Sequence, residues 1–399
     1  MASVAKRKWT HKGAAKEAWI VRYIDKGGRH RQKTFPLQRE ATAFRSKVEM
    51  EMRQGLLAPD ADRITIGKVA AEFQRYMDDR QRDGRIGETH RRRIARFVSG
   101  HILPHLSNVK LSETNLTLLT DWNREIQVKG KLAPYTARNA AQVLKMVFDF
   151  AMRRQMIARN PVLPLLADLR GVRVDKIRTF TVEELKQLLT AVHAPMYQGR
   201  TEDANLRLQC AVHLAAFCGL RIGEIFGLQA ANVDFDRGCI HIRTSLSRHD
   251  GLKAPKSAAG NRTVAMPRHV AELLWQWIER HQRPNAKGLM FAYRDGRPMN
   301  ADGFRQGSWG PLLVRAGLAT EYLKPTFHFH ALRHFAGSWM IDSGWSLPEV
   351  AKALGHSKVD MTLGVYAHAL QNRAADNAQM QALSDRLLPA PAQELRTAA

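Results

Sequence analysis

Four short clusters in the C-terminal half of the chain carry side chains equipped for chemistry. The first is Cys218-Gly219-Leu220-Arg221-Ile222-Gly223-Glu224-Ile225, a Gly-flanked turn joining an apolar helix over 214–217 to a second over 224–228. Arg221 stands at a helix start, and Glu224, three residues on, can orient its guanidinium. The second is an expected hairpin in which Ile240 and Ile242 alternate with His241 and Arg243, and residues 263–267 return. Lys253 and Lys256 fall in the polar loop between, where a lysine can reach into a groove and deliver a proton. The third is His330-Ala331-Leu332-Arg333-His334, whose first histidine and arginine share a helix face. His330 and His334 also make half of a zinc pattern, but the metalloprotease version needs a glutamate where Ala331 stands. The fourth is Ala353-Leu354-Gly355-His356-Ser357, then Thr362, Val365 and Tyr366, introduced by a helix cap at Ser346-Leu347-Pro348-Glu349. Taken singly, each residue has a bland reading: a surface arginine at a turn, a solvated loop lysine, a capping histidine, a half-buried tyrosine.

The elements that must hold these side chains belong to a chain of 399 residues with 62 Lys+Arg, 37 Asp+Glu and a net charge of +25. Its 44% apolar content suits a folded protein of two or three domains. No uninterrupted apolar run reaches the roughly 18 residues a membrane helix needs. Residues 208–220 come nearest, and Gln209 and His213 make them a buried core helix instead. The basic N-terminus, Met1-Ala2-Ser3-Val4-Ala5-Lys6-Arg7-Lys8, lacks the apolar stretch of a secretion signal. Cys210, Cys218 and Cys239 show no CxxC spacing, which argues for reduced thiols and against a disulfide scaffold or a zinc ribbon. The charge points to a polyanion, with nucleic acid first and an acidic membrane second. No basic amphipathic helix with an aromatic apolar face supports the membrane. The excess is spread evenly, +8 over 1–60, +9 over 61–175 and +8 over 176–399, so three units in series would each face the polyanion.

Local patterns divide the chain in the same way. Residues 19–24 are β-rich, 25–28 carry turn chemistry, 29–35 resume extended, and 39–54 show helical spacing through Ala43, Phe44, Val48 and Met52. Residues 56–60 read as a linker. Residues 64–163 read as a bundle of four or five helices with basic faces, ended by Asn160-Pro161. A second linker covers 164–178, and Thr181-Val182-Glu183-Glu184 is a capping box that opens a third domain near 178.

Together, the clusters GLRIGE, HALRH and ALGHS, with a tyrosine ten residues beyond the last histidine, resemble those of the tyrosine recombinases of the phage-integrase type. The resemblance covers most of the chain and implies a multidomain, mainly α fold. Its parts are a small basic N-terminal domain (1–60) of β-hairpin or sheet plus helix that binds arm-type DNA sites, a helical-bundle core-binding domain (61–170) and a mixed α+β, mostly helical catalytic domain (171–388). Residues 389–399 would be a flexible tail.

The resemblance assigns Tyr366 as the nucleophile that makes a 3′-phosphotyrosyl link. Arg221 and Arg333 are the phosphate clamp, and His330 and His356 assist proton transfer. Lys256 donates to the 5′-oxygen, with Lys253 as the alternative. Glu224 and His334 support them. No cofactor, metal or ATP is implied. The partners would be double-stranded attachment-site DNA and three further copies in a homotetramer, with an excisionase or a host DNA-bending protein as accessory candidates and no membrane. The setting would be a bacterial cytoplasm, at the nucleoid. Residues 371–388 would mediate assembly. Two other functions fit parts of the pattern: type IB topoisomerase-like relaxation, and a DNA-binding regulator without catalysis.

Overall fold

The computed structural model describes residues 2–11, 14–25, 28–53, 60–171, 178–194, 201–255, 257–321 and 326–357. The chain divides into two compact units, Met1–Asp175 and Lys176–Ala399.

The first unit begins with an antiparallel sheet, β1 (Ser3–His11), β2 (Ala14–Ile24) and β3 (His30–Phe35), with β2 in the middle, followed by helix α1 (Gln38–Arg53). Val21, Tyr23, Ala41 and Val48 are buried together, with Trp19, Phe35 and Phe44 packed against them. That is the period-2 face of a sheet meeting the period-3.6 face of a helix. The strand β1 is not legible in the sequence, because Lys6, Arg7 and Lys8 read as a charged leader. An edge strand tolerates such charges, and they discourage further pairing. Arg31 on β3 donates to both oxygens of Asp60 at 2.9 and 2.7 Å and to Asp25 at 3.0 Å.

Beyond it stand α2 (Ile66–Arg82), α3 (Glu88–Phe97), α4 (Leu103–Leu106), α5 (Leu116–Val128), α6 (Pro134–Arg153) and α7 (Val162–Asp168), with a π-helical turn at Val98–Ile102 between α3 and α4. Thr65 and Asn115 cap α2 and α5 by accepting from Lys68 and Leu118. The stripe Ile66, Val69, Phe73 and Met77 meets Ala140, Leu144, Val147 and Phe148 of α6 in one core.

The second unit is built around α9 (Glu202–Phe217), which packs against α8 (Val182–His193), α10 (Ile222–Phe226), α11 (Arg268–His281) and α14 (His330–Asp342). Residues 210–216 of α9 are all buried, His213 included. A helix apolar on every side has no outer face and must be enclosed. The strands β4 (Val233–Asp234), β5 (Cys239–Ile242) and β8 (Arg262–Ala265) form an antiparallel sheet, with β8 against helix α15 (Leu347–Leu354). Between β5 and β8 a second hairpin is inserted, β6 (Ser245–Ser247) with β7 (Gly251–Lys253). The sequence reading has one open loop there. The inserted strands are short and mostly polar, so no apolar alternation betrays them. Helices α12 (Ala301–Phe304), α13 (Gly310–Arg315) and α15 are the other α-helices among the described residues of the unit. No described helix is long and apolar enough to cross a membrane.

Candidate active site

Six of the eight residues singled out in the sequence come together in the second unit, and Glu224 is their centre. It caps α10 from inside, its Oε2 accepting from the Arg221 N–H at 2.9 Å. Its Oε1 accepts from Arg221 Nη1 at 2.7 Å. Arg262, on β8, donates to both oxygens at 3.1 and 2.9 Å. Arg333 Nη1 lies 3.9 Å from Oε2. Glu224, Arg262 and Arg333 are buried, whereas Arg221 keeps 35% of its side chain exposed. Burial alone would raise the Glu224 pKa. The hydrogen bonds and charge of Arg262, and then Arg221, outweigh it and hold the carboxyl at about 2. One carboxylate thus faces three guanidiniums, and the surplus positive charge is available to an anion.

Two loops fix the direction of those guanidiniums. Arg333 Nη1 donates to the carbonyl of Gly219 at 2.5 Å and Nη2 to that of Leu354. Arg221 Nη2 donates to the carbonyl of Gly355 at 3.3 Å, and Arg262 Nε to that of Ala353 at 2.7 Å. Gly219 and Gly355 both take left-handed backbone angles, with φ of 64°. A Cβ at Gly219 would come within 2.6 Å of Leu354 Cδ2. At Gly355 it would come within 2.8 Å of Arg262 Nη1 and 2.9 Å of the Ala259 carbonyl. Gly219 lets its loop close onto Leu354, and Gly355 lets its loop close onto Arg262.

The histidines line the same place. His330 and His334, one helical turn apart on α14, meet edge to face with ring centroids 4.7 Å apart. His356 directly follows Gly355 at the end of α15, whose start is held by Ser346 donating to Glu349. Burial, and then the nearby Arg333, push His334 down to about 4. Burial, Arg333, Arg221 and His334 do the same to His356. His330 retains an exposed edge, yet protein packed behind it, His334 and the two arginines push its pKa down too. All three are therefore neutral imidazoles at pH 7, each with one nitrogen to donate and one to accept. An open groove lined by Arg243, Asn261, Arg262, Thr263, Lys352 and His356 adjoins them.

Lys253 ends β7, where its Nζ is 2.7 Å from Asp250 Oδ2. Lys256 and Tyr366 lie outside the described residues. Sequence reasoning missed Arg262. Its signal was the inward register of β8: Arg262 pairs with the buried Ile242, two residues before the buried Val264. A charge at an inward strand position must find a buried partner.

Residues 178–373 match the phage integrase family and residues 68–171 the phage integrase central domain. The chain is similar to the putative prophage phiRv2 integrase of Mycobacterium tuberculosis, 24% identical over 361 residues that span 89% of this chain and 90% of that one. The ICEBs1 integrase of Bacillus subtilis is 23% identical over 298 residues, 71% of this chain and 74% of that one. Among solved structures, the Tn1549 transposon integrase in complex with a circular intermediate DNA superposes with a TM-score of 0.64 at 22% identity. That match covers 80% of this chain and 99% of that chain. A lambda integrase dimer bound to a COC′ core site gives 0.56 at 16%, over 90% and 94%.

Proposed function

The chain belongs to the phage integrase family of tyrosine recombinases, and from that premise we propose how its residues cut and rejoin DNA. It is a site-specific recombinase, an enzyme that transfers DNA strands. In the mechanism we propose, the Tyr366 phenol oxygen attacks a backbone phosphorus and loses its proton as the P–O bond forms. The bond to the 5′-oxygen breaks, and Lys256 protonates that leaving group, with Lys253 as the alternative. The product is a 3′-phosphotyrosyl link with a free 5′-hydroxyl. Attack by a 5′-hydroxyl from a second duplex reverses the step and exchanges strands. The phosphodiester energy is kept in the tyrosyl link, so no nucleotide triphosphate is consumed.

The observation that supports this reading best is the grouping of Arg221, Arg333, His330 and His356 around one buried carboxylate. The transition state gathers charge on the non-bridging oxygens, and planar, permanently charged guanidiniums match them. Arg221 and Arg333 are assigned that role. Glu224 orients them, and His334 packs beneath His330. Neutral His330 and His356 can each donate to a phosphate oxygen or take the phenol proton. An arriving phosphate anion raises their pKa and makes that transfer easier.

The domain roles follow in the same reading. Residues 61–170 bind the core site, 171–388 catalyse, and 1–60 hold arm-type sites, which favours integration and excision of a mobile element. Four copies assemble on two duplexes through residues 371–388, which lie outside the described residues. An open apolar groove bearing Leu189, Phe335, Trp339 and Met340 is a candidate seat for that segment. An excisionase or DNA-bending protein would join on the DNA, at a bacterial nucleoid.

Trapping on a nicked suicide substrate tests the chemistry. A covalent adduct is expected with the wild type and none with Tyr366→Phe. An undiminished adduct in that variant would overturn the assignment. Strand exchange between two cognate duplexes separates recombination from topoisomerase-like relaxation. Deleting 371–399 should abolish synapsis while cleavage of a single site persists.

A further inference from the structure

The outer face of the β4–β5–β8 sheet carries a second group of chemically able side chains. In the strand register Asp234 pairs with Cys239, Cys239 with Ala265, and His241 with Thr263. Paired residues point to the same side of a sheet, and so do residues two apart on one strand. Asp234, Cys239 and His241 therefore share one face, opposite the buried Ile240, Ile242 and Val264. A carboxylate oxygen, the thiol sulfur and one imidazole nitrogen all lie within 4.8 Å of one another.

We propose that Asp234, Cys239 and His241 form a binding site for a divalent cation of the zinc class, with water completing the coordination. Thiolate, imidazole and carboxylate are the donors that such a borderline-soft ion selects. Bonds of about 2.0–2.3 Å set tetrahedral edges of roughly 3.5 Å, which small side-chain rotations reach from the present spacing. The imidazole is already oriented: His241 Nδ1 sits 2.9 Å from Thr263 Oγ1. Donation to that hydroxyl leaves Nε2 with its lone pair, the arrangement seen around metal-bound histidines. Asp234 Oδ1 accepts the Arg237 N–H at 2.8 Å, and Arg237 Nε stands 3.9 Å from Oδ2. These contacts hold the carboxylate and leave Oδ2 able to turn toward an ion. All three residues are half-buried, and the neighbouring Thr263 and Ala265 are exposed, so an ion can enter.

Cys239 is also the one cysteine of the three that is not fully buried. Burial raises the thiol pKa of Cys210 and of Cys218, the latter to about 12, so neither competes as a thiolate. Sequence spacing hides the site because its ligands sit at i and i+2 on a strand plus a residue across the hairpin. Metal motifs read from sequence use helix and knuckle spacings of roughly three to six residues, not the i, i+2 of a strand. The site shares its sheet with Arg262 but none of the six grouped active-site residues, so the recombinase reading does not depend on it.

Cobalt(II) titration of the untagged, reduced, full-length protein tests the proposal. A thiolate-to-cobalt charge-transfer band saturating at one equivalent and displaced by zinc is expected. Cys239→Ser should abolish the band without changing the melting profile of the metal-free protein. His241→Gln and Asp234→Asn should each weaken affinity by at least about tenfold, the scale of losing one ligand's support. In a second measurement, zinc should slow alkylation of Cys239. Absence of the band, its survival in Cys239→Ser, or unprotected alkylation would overturn the site.

Discussion

Glu88 and Glu224 make the same kind of contact in different surroundings. Glu88, at the start of α3, accepts from Arg91 at 2.7 and 2.8 Å and from Arg92 at 2.6 Å. Those hydrogen bonds hold its carboxyl at about 2. Glu224 reaches about 2 as well, but against the opposing push of burial. Glu88 keeps 19% of its side chain exposed and Arg92 keeps 55%, against 5% for Glu224. Arg262 and Arg333 keep 4% and 1%. Equal carboxyl pKa values thus conceal unequal consequences. A surface pair is screened and exchanges readily with water, whereas a buried cluster that loses one member leaves a charge with nowhere to go. The first kind of cluster displays arginines; the second aims them.

The largest effect that would sharpen this contrast is on cleavage. Arg333→Lys removes the fork that spans the Gly219 and Leu354 carbonyls, and a point charge cannot replace it. Cleavage of a suicide substrate should fall at least about 10²-fold, with DNA affinity nearly unchanged by gel shift. An equal loss in Arg92→Lys would break the distinction between aiming and displaying. Next comes stability. Glu224→Gln should cost about 3–5 kcal/mol in denaturant unfolding, the usual penalty for orphaning a buried charge. Glu88→Gln should leave the unfolding midpoint of its unit in place.

A pH series separates the two clusters again. His334 and His356 are depressed to about 4 in the fold against about 6.5 unfolded. The unfolded chain therefore binds more protons, and stability should decline as pH falls below about 6.5. Glu224 works with the opposite chemistry but in the same direction: its contribution is present above about 4.5 and is lost as pH falls toward about 2. Thermal melts at pH 7.5, 5.5 and 4 should show the second unit losing stability first. A first unit that melts earlier would refute the contrast. The smallest effect belongs to Glu88→Gln on DNA binding. Freeing Arg92, while Arg91 stays held by Asp78 at 2.9 Å, should strengthen affinity at low salt and steepen its salt dependence, by up to roughly 0.9 per added phosphate contact in the log–log slope.

Much of this was legible beforehand, for reasons that can be named. GLRIGE, HALRH and ALGHS are local strings, so their residues could be picked out without knowing how they meet. The capping boxes at Thr181 and Ser346 fix helix starts through contacts three residues apart. Arg262 was not picked out because its role exists only through partners 38 and 91 residues away, Glu224 and Ala353. Strand β1 was missed because its charges hide an extended backbone. The inserted β6–β7 hairpin was missed because Ser245 and Ser247 look like loop.

Gly355 carries a consequence for how this protein can change over generations. Its carbonyl receives Arg221, its missing side chain admits Arg262, and its neighbour His356 joins the same group. A mutation there is thus a single lesion with three symptoms, and no one change among the phosphate-facing residues can repair it. In a selection for restored recombination from Gly355→Ala, second-site revertants should map to the 258–260 turn, whose Ala259 carbonyl can retreat to make room, and not to Arg262, whose loss would orphan Glu224. Isolates should not arise at His330, because that ring can neither yield the space nor replace the turn.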